Sequence, residues 1–271
     1  MKPDAQKWQG LTEVVSIGEV RPGHYSLRIC APEIARISRP GQFLHILCGT
    51  GTAPLLRRPI SICRADPASG LLEVIFRVVG EGTALLSRAR PGERIDVMGP
   101  LGSKFQLPEP GHARDAVIVG GGVGIPPLLF LAEILRKEHP GADVHVLLGG
   151  RSAEFILCDE AFRSIGCPPE IATDDGSLGH HGLVTDLLSL RLSRNTVGMV
   201  YTCGPTPMLK AVANLCGRAG TPCQASFEAR MACGVGACLS CVIPTRGGYR
   251  RVCTEGPVFP ADEIAWHDVQ E

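Results

Sequence analysis

The chain of 271 residues is long enough for two domains of ordinary size with substantial cores. Its 27 basic and 27 acidic side chains cancel to a formal net charge of zero, so it lacks the electrostatic footprint of a nucleic-acid or anionic-membrane binder. Small molecules or another protein are the expected partners.

From Thr12 to about Gly102 short β runs alternate with turn chemistry: Glu13 to Val20, His24 to Cys30, Gln42 to Cys48, Pro59 to Cys63, Leu71 to Val79 and Arg94 to Met98. The separators Arg21-Pro22-Gly23, Arg39-Pro40-Gly41, Asp66-Pro67-Ala68-Ser69-Gly70 and Arg90-Pro91-Gly92 predict tight turns between antiparallel strands, hence a small barrel. Within it, Arg57-Arg58-Pro59-Ile60-Ser61-Ile62 brings two guanidinium groups to a strand start. Pro59 removes a ladder donor and suggests an edge or mouth, where Arg58 is placed to fork onto a diphosphate; an ordinary surface arginine pair is the alternative. Gly80-Glu81-Gly82-Thr83 ends a strand and begins a short helix, whose free N–H groups suit phosphate, although Thr83 serves equally well as a plain cap.

Leu107-Pro108-Glu109-Pro110-Gly111-His112 reads as a linker. Beyond it, strands at Ala116 to Val119, Asp143 to Leu148, Glu170 to Thr173, Val197 to Thr202 and Cys223 to Phe227 alternate with helices at Pro126 to Glu138, Phe155 to Ile165, Gly182 to Leu192 and Thr206 to Arg218. Such alternation predicts a doubly wound parallel sheet. The run Ala116 to Leu135 is apolar enough to suggest a membrane span, but its central glycines and prolines fit a strand, a loop and a helix start better. Gly120-Gly121-Gly122-Val123-Gly124-Ile125-Pro126-Pro127 stands where a phosphate-cradling turn belongs, without being a strict G-x-G-x-x-G; a packing turn is the plainer reading. Cys203-Gly204-Pro205 ends a later strand, where ligands of open α/β sheets sit. Cys203 has no neighbouring base and is not expected to be a nucleophile. Arg151 and Glu154 pull the nicotinamide preference in opposite directions, and the adjacent His180 and His181 are not expected to share a metal.

Near the end, Cys233, Cys238 and Cys241 are spaced C-x4-C-x2-C, and Cys253 follows after eleven intervening residues. This is plant-type spacing for a [2Fe-2S] cluster. Gly234 and Gly236 permit a tight curl that turns backbone N–H groups toward sulfur. Structural zinc is the competing reading, but zinc sites more often pair two C-x2-C units. Disulfides would need an oxidising compartment, whereas Met1 to Lys7 leads into polar sequence without an apolar signal core. Most of the eight other cysteines sit singly in apolar runs, as suits a reducing cytoplasm.

The Arg58-Pro59-Ile60-Ser61 strand, the Gly80-x-Gly82-Thr83 helix start, the glycine-rich loop and Cys203-Gly204-Pro205 together resemble the ferredoxin-reductase-like flavoprotein superfamily. That resemblance implies FAD held by Arg58, Pro59, Ile60 and Ser61, by Ile75, Phe76 and Arg77, and by Gly82 and Thr83. It also implies a nicotinamide nucleotide near Gly120, Gly121, Gly122, Gly124, Cys203, Gly204 and Pro205, with NAD favoured. With the cysteine motif closed by Cys253-Thr254-Glu255-Gly256-Pro257-Val258-Phe259, the order of parts resembles the electron-transfer subunits of class B dihydroorotate dehydrogenases over nearly the whole chain. The implied arrangement is an antiparallel FAD-binding β barrel over 8–107, a nucleotide-binding α/β domain over 112–227 and a small [2Fe-2S] segment over 228–271. The 44 residues after Phe227 are too few for a whole ferredoxin domain. A cytoplasmic heterotetramer with a catalytic, FMN-containing dihydroorotate dehydrogenase subunit is implied in turn. Subunits of sulfide dehydrogenases, hydrogenases and ferredoxin reductases resemble the chain too, and a zinc-stabilised nucleotide-binding adaptor is the non-redox alternative. Nothing in these residues reads orotate.

Overall fold

The computed structural model describes residues 7–49, 53–108, 115–194 and 197–269. Most of the expected linker at 107–112 lies outside them.

Six antiparallel strands close a barrel: β1 (Trp8–Arg21), β2 (His24–Cys30), β3 (Phe43–Ile46), β4 (Arg58–Asp66), β5 (Leu71–Arg77) and β6 (Arg94–Leu101). Their order around it is β1-β2-β5-β4-β3-β6. Alternation explains the closure. Leu27 and Ile29 of β2, Leu44 and Ile46 of β3, Ile60 and Ile62 of β4, and Leu72, Val74 and Phe76 of β5 fill one interior. Two short helices, α1 (Pro32–Ile37) and α2 (Glu81–Leu86), interrupt the strands. β1 is longer than its sequence pattern suggests, because Trp8 to Glu13 pairs with β6 before the strand turns to β2.

The second domain runs β7 (Asp115–Gly121), α3 (Ile125–Glu138), β8 (Val144–Gly150), α4 (Asp159–Ser164), β9 (Glu170–Thr173), β10 (His180–His181), α5 (Val184–Leu192), β11 (Val197–Cys203), α6 (Thr206–Ala219) and β12 (Cys223–Ser226). These strands pair in parallel in the order β10-β9-β8-β7-β11-β12. Ala116 and Ile118 of β7 face one core, and Val117 and Val119 the other. A central parallel strand is buried on both faces, which is why the Ala116 to Leu135 run is apolar. Among the described residues no helix is long and apolar enough to cross a membrane. The helix expected over Phe155 to Ile165 is shorter, with a 3-10 turn at Ala153–Phe155 and α4 starting only at Asp159.

The C-terminal segment contributes a hairpin, β13 (Val242–Thr245) and β14 (Gly248–Arg251), and then β15 (Val258–Pro260). β15 joins β12 antiparallel and becomes the edge of the large sheet. One buried cluster draws on all three parts of the chain: Phe43 and Leu101 from the barrel, Leu209 and Ala225 from the α/β domain, Cys241, Val252, Cys253 and Phe259 from the segment. Arg64 of β4 adds an ion pair to Glu133 of α3 at 2.7 Å.

Candidate functional site

β4 and β5 pair from Asp66↔Leu71 only as far as Ile62↔Val74. Beyond that point Arg58 to Ser61 is laddered to β3 alone, and Ile75 to Arg77 to β2 alone. The strands splay, leaving main-chain groups along both edges for a ligand. Pro59 stands on this open edge, where its missing N–H interrupts no ladder.

The splay opens a cleft of about 820 Å³, ample for a large cofactor's ring system. Arg58, Pro59, Ile60, Ser61, Ile75, Phe76, Arg77 and Thr83 line it from the barrel, Val123 from the glycine loop, and Phe227 to Met231 with Pro257 from the C-terminal segment. The last group has no counterpart among the sequence-based site residues. Phe227 follows the carboxyl end of a parallel strand, but no motif marks the stretch as a ligand wall.

The arginine pair divides its work. Arg57 Nη2 is 2.6 Å from Asp96 Oδ2, and its Nη1 donates to the carbonyls of His45 and Asp96. Among the described residues Arg58 donates only to nearby backbone carbonyls, and it keeps its guanidinium in the cleft. Gly82 stands directly behind it, and a Cβ there would lie 2.7 Å from Arg58 Nε. Thr83 is a cap: its hydroxyl accepts from the N–H groups of Val79 and Gly80 and donates to the Gly80 carbonyl. Its side chain is thereby engaged within the turn, and Arg58 is left as the freer polar group.

The glycine loop and Cys203-Gly204-Pro205 form a second mouth where β7 and β11 end side by side, with Gly120 opposite Cys203. A Cβ on Gly124 would lie 2.4 Å from the Cys203 carbonyl, and one on Gly121 2.7 Å from Met208 Sδ. Those glycines let two loops touch. Gly122, at φ +54° with nothing near its missing side chain, is the one open to a ligand. Burial pushes the Cys203 thiol up to about 12, and the Glu228 charge adds to the rise, so no thiolate forms there at neutral pH. Arg151 and Glu154 are both exposed past β8, where neither is held by a partner ion pair among the described residues. His181 packs at Gly176, whereas His180 turns toward Asp186 at 3.5 Å.

Met231 lines the cleft, and Cys233 follows two residues later. The loop curls through Gly234 at φ +70° and Gly236 at φ +84°, as its glycines suggest. The N–H groups of Val235 and Cys238 both point at Cys233 Sγ, each at 3.4 Å. The thiols stand as pairs, Cys238 with Cys233 and Cys253 with Cys241. Two thiolates per iron suit a two-iron centre. A single tetrahedral zinc would instead draw all four onto one point.

The two ends of the nest differ. Cys241 and Cys253 are buried, and desolvation, then the facing Cys241 thiol, pushes Cys253 up to about 12. Cys238 is exposed; hydrogen bonding from Ser240 and then from the Cys233 side lowers it to about 6. Buried polar atoms surround the nest. Among the described residues the His45 ring nitrogens and Thr254 Oγ1 have no hydrogen-bond partner, and a Cβ on Gly234 would lie 2.6 Å from His45 Nδ1. Paired thiols, inward N–H groups and unsatisfied neighbours are what an iron-sulfur centre fits.

Comparisons with known proteins agree with this geometry. The family model described as the iron-sulfur cluster binding domain of dihydroorotate dehydrogenase B matches residues 228–265. The oxidoreductase NAD-binding domain matches 118–214. The electron transfer subunit of dihydroorotate dehydrogenase B (NAD(+)) from Desulforamulus reducens is 43% identical over 258 residues, covering 94% of this chain and 97% of that protein. The corresponding subunit of Shouchella clausii is 41% identical, covering 96% and 99%. Among solved structures, an NADH-dependent reduced ferredoxin-NADP oxidoreductase superposes with a TM-score of 0.84 at 29% identity, covering 96% of this chain and 91% of that one. A ferredoxin NADP+ reductase of Neisseria gonorrhoeae, solved with FAD and NADP, shares the fold at a TM-score of 0.65 and 18% identity, covering 82% and 94%.

Proposed function

Because the chain belongs to the family of dihydroorotate dehydrogenase B (NAD+) electron transfer subunits, we propose that it carries electrons from the FMN of a catalytic partner, where dihydroorotate is oxidised to orotate, to NAD+. It is an oxidoreductase subunit with a [2Fe-2S] cluster, FAD and NAD as cofactors. FAD supplies the exchange between one-electron and two-electron chemistry that a cluster and a nicotinamide cannot make directly.

In this reading 8–107 holds FAD, 112–227 holds NAD and 228–271 holds the cluster. Arg58 takes the FAD diphosphate, with Gly82 giving its guanidinium room. Pro59, Ile60, Ser61, Ile75, Phe76 and Arg77 offer the splayed strand edges, while Thr83 fixes the turn beside them. Gly120, Gly121, Gly122 and Gly124, with Cys203, Gly204 and Pro205, shape the NAD mouth. Cys233, Cys238, Cys241 and Cys253 bind the irons.

The observation that carries the reading is continuity. The wall Phe227 to Met231 closes the cleft and runs straight into Cys233, so cluster and flavin are neighbours by construction. The other side of the nest faces outward. Cys238 is exposed between Val235, 42% exposed, and Leu239, 60% exposed and held at φ +58°. A leucine in the left-handed region is strained by roughly 1–2 kcal/mol. An apolar patch around an exposed ligand suits docking of the catalytic subunit. Two such pairs assembled in the cytoplasm form the proposed heterotetramer.

The test is anaerobic co-expression with the FMN-bearing partner. The complex is expected to contain iron, sulfide, FAD and FMN, and to reduce NAD+ on addition of dihydroorotate. A loaded complex that forms no NADH rules the assignment out.

A further inference from the structure

His45 is completely buried, yet among the described residues neither ring nitrogen has a hydrogen-bond partner. Such a group is costly to bury, at roughly 1–3 kcal/mol for each unsatisfied polar atom, and calls for an explanation. Its position supplies one. Leu44 and Ile46 of β3 point into the barrel, so His45, between them on the strand, faces out on the same side as Phe43. That side is covered by the C-terminal segment, since Phe43 packs in the cluster that holds Cys241 and Cys253.

The ring edge reaches the cysteine loop at Gly234. Cβ at that residue would stand 2.6 Å from Nδ1, 3.1 Å from Cε1 and 3.3 Å from Cγ, so glycine is required by the histidine as well as by the curl. On the strand ladder His45 lies opposite Pro59, a wall of the flavin cleft. The imidazole therefore stands between the barrel wall that meets the flavin and the loop that binds the cluster. It is kept neutral: burial, then the Arg57 charge, lowers it to about 4 against the opposing pull of the Arg57 backbone, which faces the ring outside hydrogen-bond geometry. A neutral ring retains one N–H donor.

We propose that His45 is a positioning residue that donates a ring N–H hydrogen bond to a sulfur of the cluster and so sets its potential. This rests on the cluster reading above and names a barrel residue as part of the cluster's surroundings. A donor to cluster sulfur stabilises the reduced, more negative state and raises the potential.

The experiment uses the full chain with its partner, loaded anaerobically. In His45→Leu, which fills the volume without a donor, the reduction equilibrium of the cluster is expected to shift about tenfold toward the oxidised form, 59 mV for a one-electron couple. His45→Asn, which keeps an N–H near the Nδ1 position, is expected to recover most of that shift. EPR-monitored redox titration reads both, at iron and sulfide contents matched to the unaltered protein. If either variant fails to assemble, the unaltered protein labelled selectively with 15N-histidine decides. Pulsed EPR of its reduced cluster is expected to show a weak histidine 15N coupling. Absence of that coupling overturns the proposal whatever the variants do, as does an unshifted potential in a fully loaded His45→Leu. Absence of iron and sulfide from the unaltered protein would instead sink the cluster reading itself.

Discussion

The four cluster cysteines are chemically unequal, and the inequality is testable on protein stripped of iron. Cys238 is exposed, and its hydrogen bonds from Ser240 and the Cys233 side lower its thiol to about 6. A lowered thiol is ionised above that value, so between about 6 and the ordinary 9 it is a thiolate while ordinary thiols are still protonated. Iodoacetamide is expected to modify Cys238 first, with a rate that reaches half its plateau near pH 6. Cys203 and Cys253, both pushed up to about 12, should stay unmodified. Peptide mass mapping across pH checks this, and reloading with iron and sulfide should abolish the labelling. The arginines give a second contrast at this scale. Among the described residues Arg58 has only backbone carbonyls as partners, whereas Arg57 is tied to Asp96 at 2.6 Å. Arg58→Ala is expected to weaken FAD binding by roughly 10- to 100-fold, as loss of a charge-assisted hydrogen bond of about 1.5–3 kcal/mol implies. Arg57→Ala should mainly lower the melting temperature. Fluorescence titration of released FAD separates the two, and equal FAD loss in both would contradict the division.

At the scale of the element, the loop between β7 and α3 is a packing joint and, in the proposed reading, a nucleotide contact in one stretch. Gly124→Ala drives a Cβ to 2.4 Å from the Cys203 carbonyl, a backbone atom that cannot swing aside. It is expected to destabilise the protein by roughly 1–3 kcal/mol, read as a fall in melting temperature. Gly122→Ala meets no atom and costs only the left-handed conformation, about 1 kcal/mol, so its expected effect is a higher KM for NADH with the fold kept. The joint also shows what the sequence could reveal. Short β runs bounded by turn residues located every barrel strand, and alternating β and α signals located the parallel strands except the two-residue β10, whose polar His180–His181 reads as loop. The glycine loop was found by its place in the chain, but its split between packing and ligand contact depends on Cys203, which lies far along the sequence. β15 was missed for a related reason: Val258–Pro260 is three residues ending in proline, and only its pairing with β12 makes it a strand. The splay of β4 from β5 was foreshadowed by Pro59. The cleft wall Phe227 to Met231 and the buried His45 were not, since neither carries a motif and both acquire meaning by contact.

For the whole molecule, the shared core decides what electrons can reach. Phe43, Leu209 and Cys253 belong to one buried cluster, so barrel, α/β domain and cysteine segment are held as one body around the cleft. In the proposed reading NADH approaches from the β7 and β11 mouth and the catalytic partner from the exposed Cys238 side. The two approaches are separate, and the cysteine nest stands on only one of them. Cys238→Ser is therefore expected to lose or destabilise the cluster and to cut dihydroorotate-dependent NAD+ reduction at least 10-fold. NADH-to-dye turnover, which needs only the NAD mouth and the flavin cleft, should survive better. Cys238 is the suitable ligand to change because it is exposed, whereas Cys241 and Cys253 are core residues whose loss would loosen all three parts together. Both activities are measured on the same complex, with FAD content and melting temperature as controls. Equal loss of the two, at retained FAD and an unaltered melting temperature, would contradict a linear order with the cluster outermost, because only a cluster that also lies on the NADH-to-dye path would couple them.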